Sequence, residues 1–137
     1  MHYSQVVAEG SMEGLKKIFD HISQNAQIKI IRNVTPAMVM VRHRDSVEGT
    51  PFYMGEAFVL ECEVEVDRNL GYGCVLGYEP ERAFYAAVVD AVLGSGHKLS
   101  DQIKPMIDDL EKALYSLWEQ EAARVASTRV NFDVKKG

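Results

Sequence analysis

The sequence predicts an α+β domain: a mostly antiparallel sheet of about four to five strands with a central hairpin, packed against helices that include a long C-terminal one. Three observations lead there. From Phe58 to Val66, apolar residues (Phe58, Leu60, Cys62, Val64, Val66) alternate with Glu61, Glu63 and Glu65, the period of a strand with one wet face. A Gly-rich return from Leu70 to Leu76 follows a short polar turn. Beyond it, two stretches starting at Pro80 and Pro105 carry apolar residues at helical spacing.

In chain order, residues 1–10 are ambiguous, with room for a short helix after Ser4. Ser11 is an N-cap for a helix that places Leu15, Ile18, Phe19 and Ile22 on one face and ends near Asn25. Ile28 to Ile31 and Ala37 to Arg42 read as two short strands separated by the turn-prone Asn33-Val34-Thr35-Pro36, and His43 to Thr50 as a loop. In the hairpin, apolar residues that face each other share a side only if paired residue numbers have an even sum. A two-residue turn fails that test. A three-residue Asp67-Arg68-Asn69 loop, with Asn69 at positive φ, passes it and sets Cys62 opposite Cys74.

The helix opening at Pro80 has no polar face. Ala83, Phe84, Ala87, Val88, Ala91 and Val92 make the stripe expected on the sheet, while Tyr85, Ala86, Val89 and Leu93 line the other side and Asp90 is the single charge between Ala83 and Leu93. A helix apolar all round is normally covered on both sides, here by the C-terminal helix or by another chain. Gly94 to Gly96 ends it. The last helix is expected to start at Pro105, with Met106, Ile107, Leu110, Ala113, Leu114, Leu117, Trp118, Ala122 and Val125 as its stripe. From Thr128 to Val134 the pattern switches to alternation, with Val130, Phe132 and Val134 on one face, as in a last strand or an arm for a neighbour.

Composition bounds the function. The chain of 137 residues, 47% hydrophobic and 26% charged, reads as one globular domain over residues 1–137. No apolar run approaches the ~20 residues of a membrane span, and the N-terminus lacks a secretory pattern. With its two cysteines expected to face the core as inert thiols, the sequence fits a cytoplasmic protein. The net charge of −5 argues against a nucleic-acid partner.

No catalytic constellation stands out. The Gly71-Tyr72-Gly73-Cys74-Val75-Leu76-Gly77 run invites a phosphate-loop reading, but its spacing is not GxGxxG and Glu79 and Glu81 occupy the helix start an anion would need. Glycines at alternate strand positions more naturally admit a close neighbour. His2, His21, His43 and His97 are scattered without metal-ligand spacing. The row Glu61, Glu63, Glu65 suits a solvated face, or one that meets a basic partner, better than a cation site.

Leu70-Gly71-Tyr72, Val75-Leu76-Gly77, the helix residues Ala83, Ala87, Asp90 and Ala91, Ile103 with Pro105, Ala123, Val125 and the closing Arg129-Val130-x-Phe132 together carry a resemblance. In this ordered set the chain resembles PhnG, the small subunit of the carbon–phosphorus lyase core complex. It departs from the pattern at Cys74 and around Phe84 and Tyr85. The resemblance implies an accessory subunit with no catalytic residue, metal or cofactor of its own. Its companions would be PhnI-, PhnH-, PhnJ- and PhnL-type subunits, in a complex that replaces the adenine of ATP with an alkylphosphonate ahead of C–P cleavage. On this reading Tyr85, Val89, Leu93, Val130 and Phe132 are the candidate partner-interface residues, and the isolated chain self-associates. The alternatives are a homodimeric small-ligand binder, a stand-alone Cys- or His-dependent transferase, and, for the five residues, packing within this one domain.

Overall fold

The computed structural model describes the backbone of residues 1–44 and 51–136 and the side chains of residues 1–40 and 55–127. Its elements run α1 (Tyr3–Glu9), α2 (Met12–Asn25), β1 (Ile28–Arg44), β2 (Pro51–Val66), β3 (Asn69–Leu76), α3 (Pro80–Ser95) and α4 (Ser100–Lys136). The sheet has three antiparallel strands in the order β1-β2-β3. The α+β class therefore holds, with three strands instead of four to five. The difference lies in β1. Residues Asn33 to Pro36 do not turn the chain but are absorbed as irregularities in the pairing, which shifts register between Ile30 and Arg32 and again between Arg32 and Thr35. A bulge accommodates extra residues without ending the strand.

The hairpin between β2 and β3 differs from the expected one in register. Its turn has two residues, Asp67 and Arg68, at φ of 47° and 73°. Positive φ at both central positions is the type I′ geometry that matches strand twist. Val66 pairs with Asn69, so Cys62 lies opposite Gly73 and Glu61 opposite Cys74. The even-sum test failed because its premise did. The residues of β3 that share the core side with Cys62 and Val64 are Gly71, Gly73 and Val75, while Leu70, Tyr72, Cys74 and Leu76 point outward.

Helix α3 explains the inversion. A Cβ placed on Gly71 would lie 2.2 Å from the Ala87 carbonyl oxygen, and one on Gly73 would lie 2.3 Å from that of Ala83. With alanines at 83, 87 and 91 facing these glycines, helix and strand meet nearly backbone to backbone. The other side of α3 is covered from within the chain by α1 and α2, which also answers where its second apolar face goes. Ser11 caps α2 through its hydroxyl, which accepts from Gly14 N at 3.1 Å, as expected. Gly96 closes α3 in the left-handed region, φ 70°.

Helix α4 starts earlier and runs longer than expected. It begins at Ser100, takes in Pro105 and spans 37 residues, about 55 Å at 1.5 Å per residue. Pro105 removes only the N–H that would bond the carbonyl of Asp101, and both residues are on the exposed side. The backbone of the alternating tail is helical to Lys136, so that segment is neither strand nor extended arm. Ile103, Ile107, Leu110 and Leu114 are buried against α1 and α2. No helix among the described residues is long and apolar enough to cross a membrane.

The close helix–strand approach sets a steep penalty for any side chain at these glycines. Gly73→Ala should destabilise the fold by roughly 2 kcal/mol or more, lowering Tm by about 6 °C or more. Melting curves that superimpose on the wild type would show that the two backbones are not in contact.

Candidate interaction surface

Polar side chains inside the described structure are already engaged in holding it together. Asp90 accepts from the Tyr3 hydroxyl at 2.7 Å and from the backbone N–H of Tyr72 at 2.9 Å. It thereby ties α1 and β3 to α3 and occupies a donor on an outer strand. Burial, reinforced by Asp90, pushes the Tyr3 hydroxyl up to about 12. The guanidinium of Arg82, buried between α3 and α1, donates to the carbonyls of Val7 at 2.9 Å and Gly10 at 2.6 Å. These are carbonyls at the end of α1 that no further helical turn would satisfy. Its Nε meets Glu79 at 3.2 Å.

A third tie joins the hairpin turn to the α3–α4 connection. His97 accepts the Leu99 N–H on Nδ1 at 3.0 Å, which leaves Nε2 as the donor to Asp67 Oδ2 at 2.8 Å. Asp67 Oδ1 accepts from Gln27 N at 2.9 Å, and Asp67 N donates to the Gln27 carbonyl at 3.0 Å. The Gln27 N–H, with help from His97, holds the Asp67 carboxyl below the usual range. Both ring nitrogens of His97 are engaged, and the ring braces the hairpin turn against the α3–α4 connection. Asn25, Gln27, Asn69 and Lys98 border a wide, open depression around it.

The other described histidines, His2 and His21, do not converge. His2 caps α1 by accepting from Ser4 N at 3.1 Å, and His21 lies 2.7 Å from Gln102 Oε1. The side chain of His43 lies outside the described residues. Among the described residues no group of three or more His, Cys, Asp or Glu could hold a metal ion. Cysteine placement corrects the sequence reading: Cys62 is buried as expected, but Cys74 is exposed on the outer side of β3. Burial, and secondarily Glu63, pushes the Cys62 thiol up, which keeps it protonated and inert.

The outer face of the sheet carries three parallel rows. Across it run Lys29–Glu65–Leu70, Arg32–Glu63–Tyr72 and Thr35–Glu61–Cys74. The glutamates thus line the middle strand between a basic edge and an apolar one. Glu61 takes the Tyr72 hydroxyl at 2.8 Å and lies 3.9 Å from Arg32. Burial and Glu61 together push the Tyr72 hydroxyl up. Leu70 and Leu76 are 69% and 68% exposed.

Apolar surface is bare at two further places. Past the end of β3, the core side of the β1–β2 ribbon continues as Met38, Met40 and Phe58, all exposed. On α4, every described residue from Tyr115 to Ser127 is exposed. Trp118 and Val125 there prolong, at heptad-like spacing, the stripe that Ile107 and Leu114 bury. Tyr115 packs edge-on to Trp118 at 5.5 Å, and Leu117 is 60% exposed.

This distribution differs from the residues the sequence singled out. Val89 is 0% exposed and belongs to the chain's own core. Tyr85 stacks on Phe19 at 4.8 Å, and both it and Leu93 retain part of their surface. The side chains of Val130 and Phe132 lie outside the described residues. The stripe of α4 beyond Leu114 and the outward residues of β3 were missed as surfaces. The glycine alternation in β3 was the available signal for the second.

The family model described as "Phosphonate metabolism protein PhnG" matches residues 1–137. The chain belongs to the PhnG family. A relative from Rhizobium meliloti (strain 1021), the "Alpha-D-ribose 1-methylphosphonate 5-triphosphate synthase subunit PhnG", is 28% identical over 130 residues, covering 93% of this chain and 82% of the relative. Within this PhnG-family chain, four of the residues that carried the resemblance, Gly71, Ala83, Ala87 and Ala91, lie at the helix–strand contact. Asp90 is the tie between α1, α3 and β3.

Two measurements check the site chemistry. The Asp67 carboxyl is more acidic in the folded chain than in the unfolded one, whose value is about 3.9. Its stabilising contribution is therefore complete above that value and disappears as pH falls through the lowered folded pKa. Asp67→Asn should flatten the dependence of urea-unfolding midpoint on pH below about pH 4, and equal slopes would remove Asp67 from the account. A thiol reagent at neutral pH should modify Cys74 quickly and Cys62 only on unfolding, read by mass spectrometry as one fast adduct. Two equally fast adducts would contradict the placement of Cys62.

Proposed function

We propose that this chain is an accessory, non-catalytic subunit of an α-D-ribose 1-methylphosphonate 5-triphosphate synthase, binding companion subunits of the PhnI, PhnH, PhnJ and PhnL types. The family supports the pathway, and the name of the Rhizobium relative supports the complex. The observation that carries the role is the stripe of α4 in which Leu117, Trp118 and Val125 have no covering element among the described residues. A patch of this kind on a soluble chain marks a contact surface. In the proposed assembly ATP is consumed by the complex, this chain holds no cofactor, and the work takes place in the cytoplasm. Without companions, the same stripe draws copies of the isolated chain together.

Co-expression with the companion subunits tests the reading. The wild-type chain should copurify with them, and Trp118→Glu should weaken that association at least tenfold, as truncation of an aromatic anchor does. Because Trp118 lies outside the core, the unfolding free energy should stay within about 0.5 kcal/mol of the wild type. Full copurification of the Trp118→Glu variant would remove α4 from the interface, and failure of any companion to bind the wild type would overturn the role itself.

A further inference from the structure

We infer that the free edge of β3 is a docking site whose occupant is an extended segment of a companion protein, added to the sheet as a further strand. The inference rests on the accessory-subunit reading and adds to it the place of a contact and the conformation of what binds there.

The ladder shows which backbone groups that edge presents. Gly77 N donates to the Phe58 carbonyl at 3.1 Å, whereas Tyr72 N turns away from β2 to Asp90 at 2.9 Å. Antiparallel pairs alternate between bonded and non-bonded positions. With Tyr72 opposite Glu63 and Cys74 opposite Glu61, the N–H and C=O of Leu70, Tyr72, Cys74 and Leu76 therefore point out of the sheet. Among the described residues, no hydrogen bond reaches the backbone N–H of Leu70, Cys74 or Leu76, and Asp90 takes that of Tyr72. The opposite edge is guarded in the usual ways. β1 carries Lys29, Arg32 and Pro36, and its pairing shifts register between Ile30 and Thr35. β3 is regular from Asn69 to Leu76, without proline or charge.

These groups select the occupant. A row of outward N–H and C=O at strand spacing is satisfied by another extended backbone, whereas a helix has spent its own groups internally. Within this chain, the backbone of residues 1–44 and 51–136 is placed without covering this edge. A second copy meets an obstacle in α3, which stands directly over β3 at Gly71 and Gly73. Antiparallel pairing of two β3 strands would set two α3 helices side by side about 5 Å apart, where packed helices need about 8–10 Å. A segment with no helix of its own above it escapes that clash. On the flank of α3 beside the edge it meets Ala86, one turn before Asp90 and only half-buried. On the outer face its alternate side chains lie beside Leu70 and Leu76, which are 69% and 68% exposed. The segment that fits is extended, apolar at alternate positions and free of proline where it pairs.

Residue-resolved hydrogen exchange tests the pairing. In the isolated chain the amides of Cys74 and Leu76 should exchange freely, and that of Tyr72, held by Asp90, slowly. In the complex with co-expressed companions, exchange at Cys74 and Leu76 should slow by at least about tenfold. Cys74→Pro removes an N–H that β2 does not use and should weaken association by about tenfold or more. Cys74→Ala keeps the N–H and should bind as the wild type does. Should Cys74→Pro fail to fold, the exchange of the wild-type complex decides. Companions that bind while Cys74 and Leu76 stay unprotected would overturn the inference and leave the accessory role standing. Cys74→Ala binding as weakly as Cys74→Pro would do the same, since the side chain and not the backbone would then make the contact. Companions that bind no form of the chain would overturn both readings. Protection at Cys74 and Leu76 that grows with the concentration of the isolated chain would assign the edge to a second copy and overturn the inference as well.

Discussion

The contact between α3 and β3 at Gly71 and Gly73 is the constraint on which the rest of the fold turns. Helix backbones normally ride about 10 Å above a sheet because side chains fill the gap. Here the glycines and the alanines at 83, 87 and 91 leave no such gap. With β3 contributing almost no volume to the interior, larger side chains arrive from elsewhere: Val6 and Val7 on α1, Leu15, Ile18 and Ile22 on α2, and Ile103 and Ile107 on α4. The short N-terminal helices are therefore structural parts of the core. The glycines at 10 and 14 extend the same logic, since a Cβ on Gly14 would lie 2.3 Å from Leu110.

Three polar ties hold this arrangement in place, and each joins segments far apart in sequence. Asp90 gathers Tyr3 and the Tyr72 backbone, Arg82 holds the end of α1, and Asp67 with His97 links the hairpin turn to the start of α4. Each group has its hydrogen-bonding capacity directed at backbone or at a fixed partner. A buried polar group satisfied in this way fixes the relative placement of elements more sharply than apolar contact does. The Asp67 tie also steadies a turn whose two residues both sit at positive φ, a conformation unfavourable for Arg68.

Much of this was legible in the sequence. The cap at Ser11, the break at Gly96, the alternation of β2 and the two-sided apolarity of α3 each follow from local patterns, and the structure has them where the patterns put them. Of the residues that carried the family resemblance, Gly71, Ala83, Ala87 and Ala91 lie at the close helix–strand contact. What could not be read was tertiary. Register in β3 was misassigned because the rule that apolar side chains face the core fails when the facing element sits too close for any side chain. The two short strands merged because a bulge and a turn share residues such as Asn and Pro. The cover on α3 could not be located because α1, only 7 residues long, carries too little periodicity to announce itself as core. On α4, the stripe gives no hint of where burial stops, since Leu114 and Trp118 look equivalent in sequence and differ only in what lies across from them.

The glycines on the inner side of β3 have a further effect on which of its positions can be replaced. Leu70, Tyr72, Cys74 and Leu76 project away from the interior, and the strand docks onto α3 without them. Replacement at those four positions alters what the molecule shows to its surroundings and leaves the helix–strand seam alone. Ordinary strands tie display to interior packing through neighbouring residues of similar bulk. This one separates the two, so a change of bulk on the outside of β3 does not reach the seam at Gly71 and Gly73.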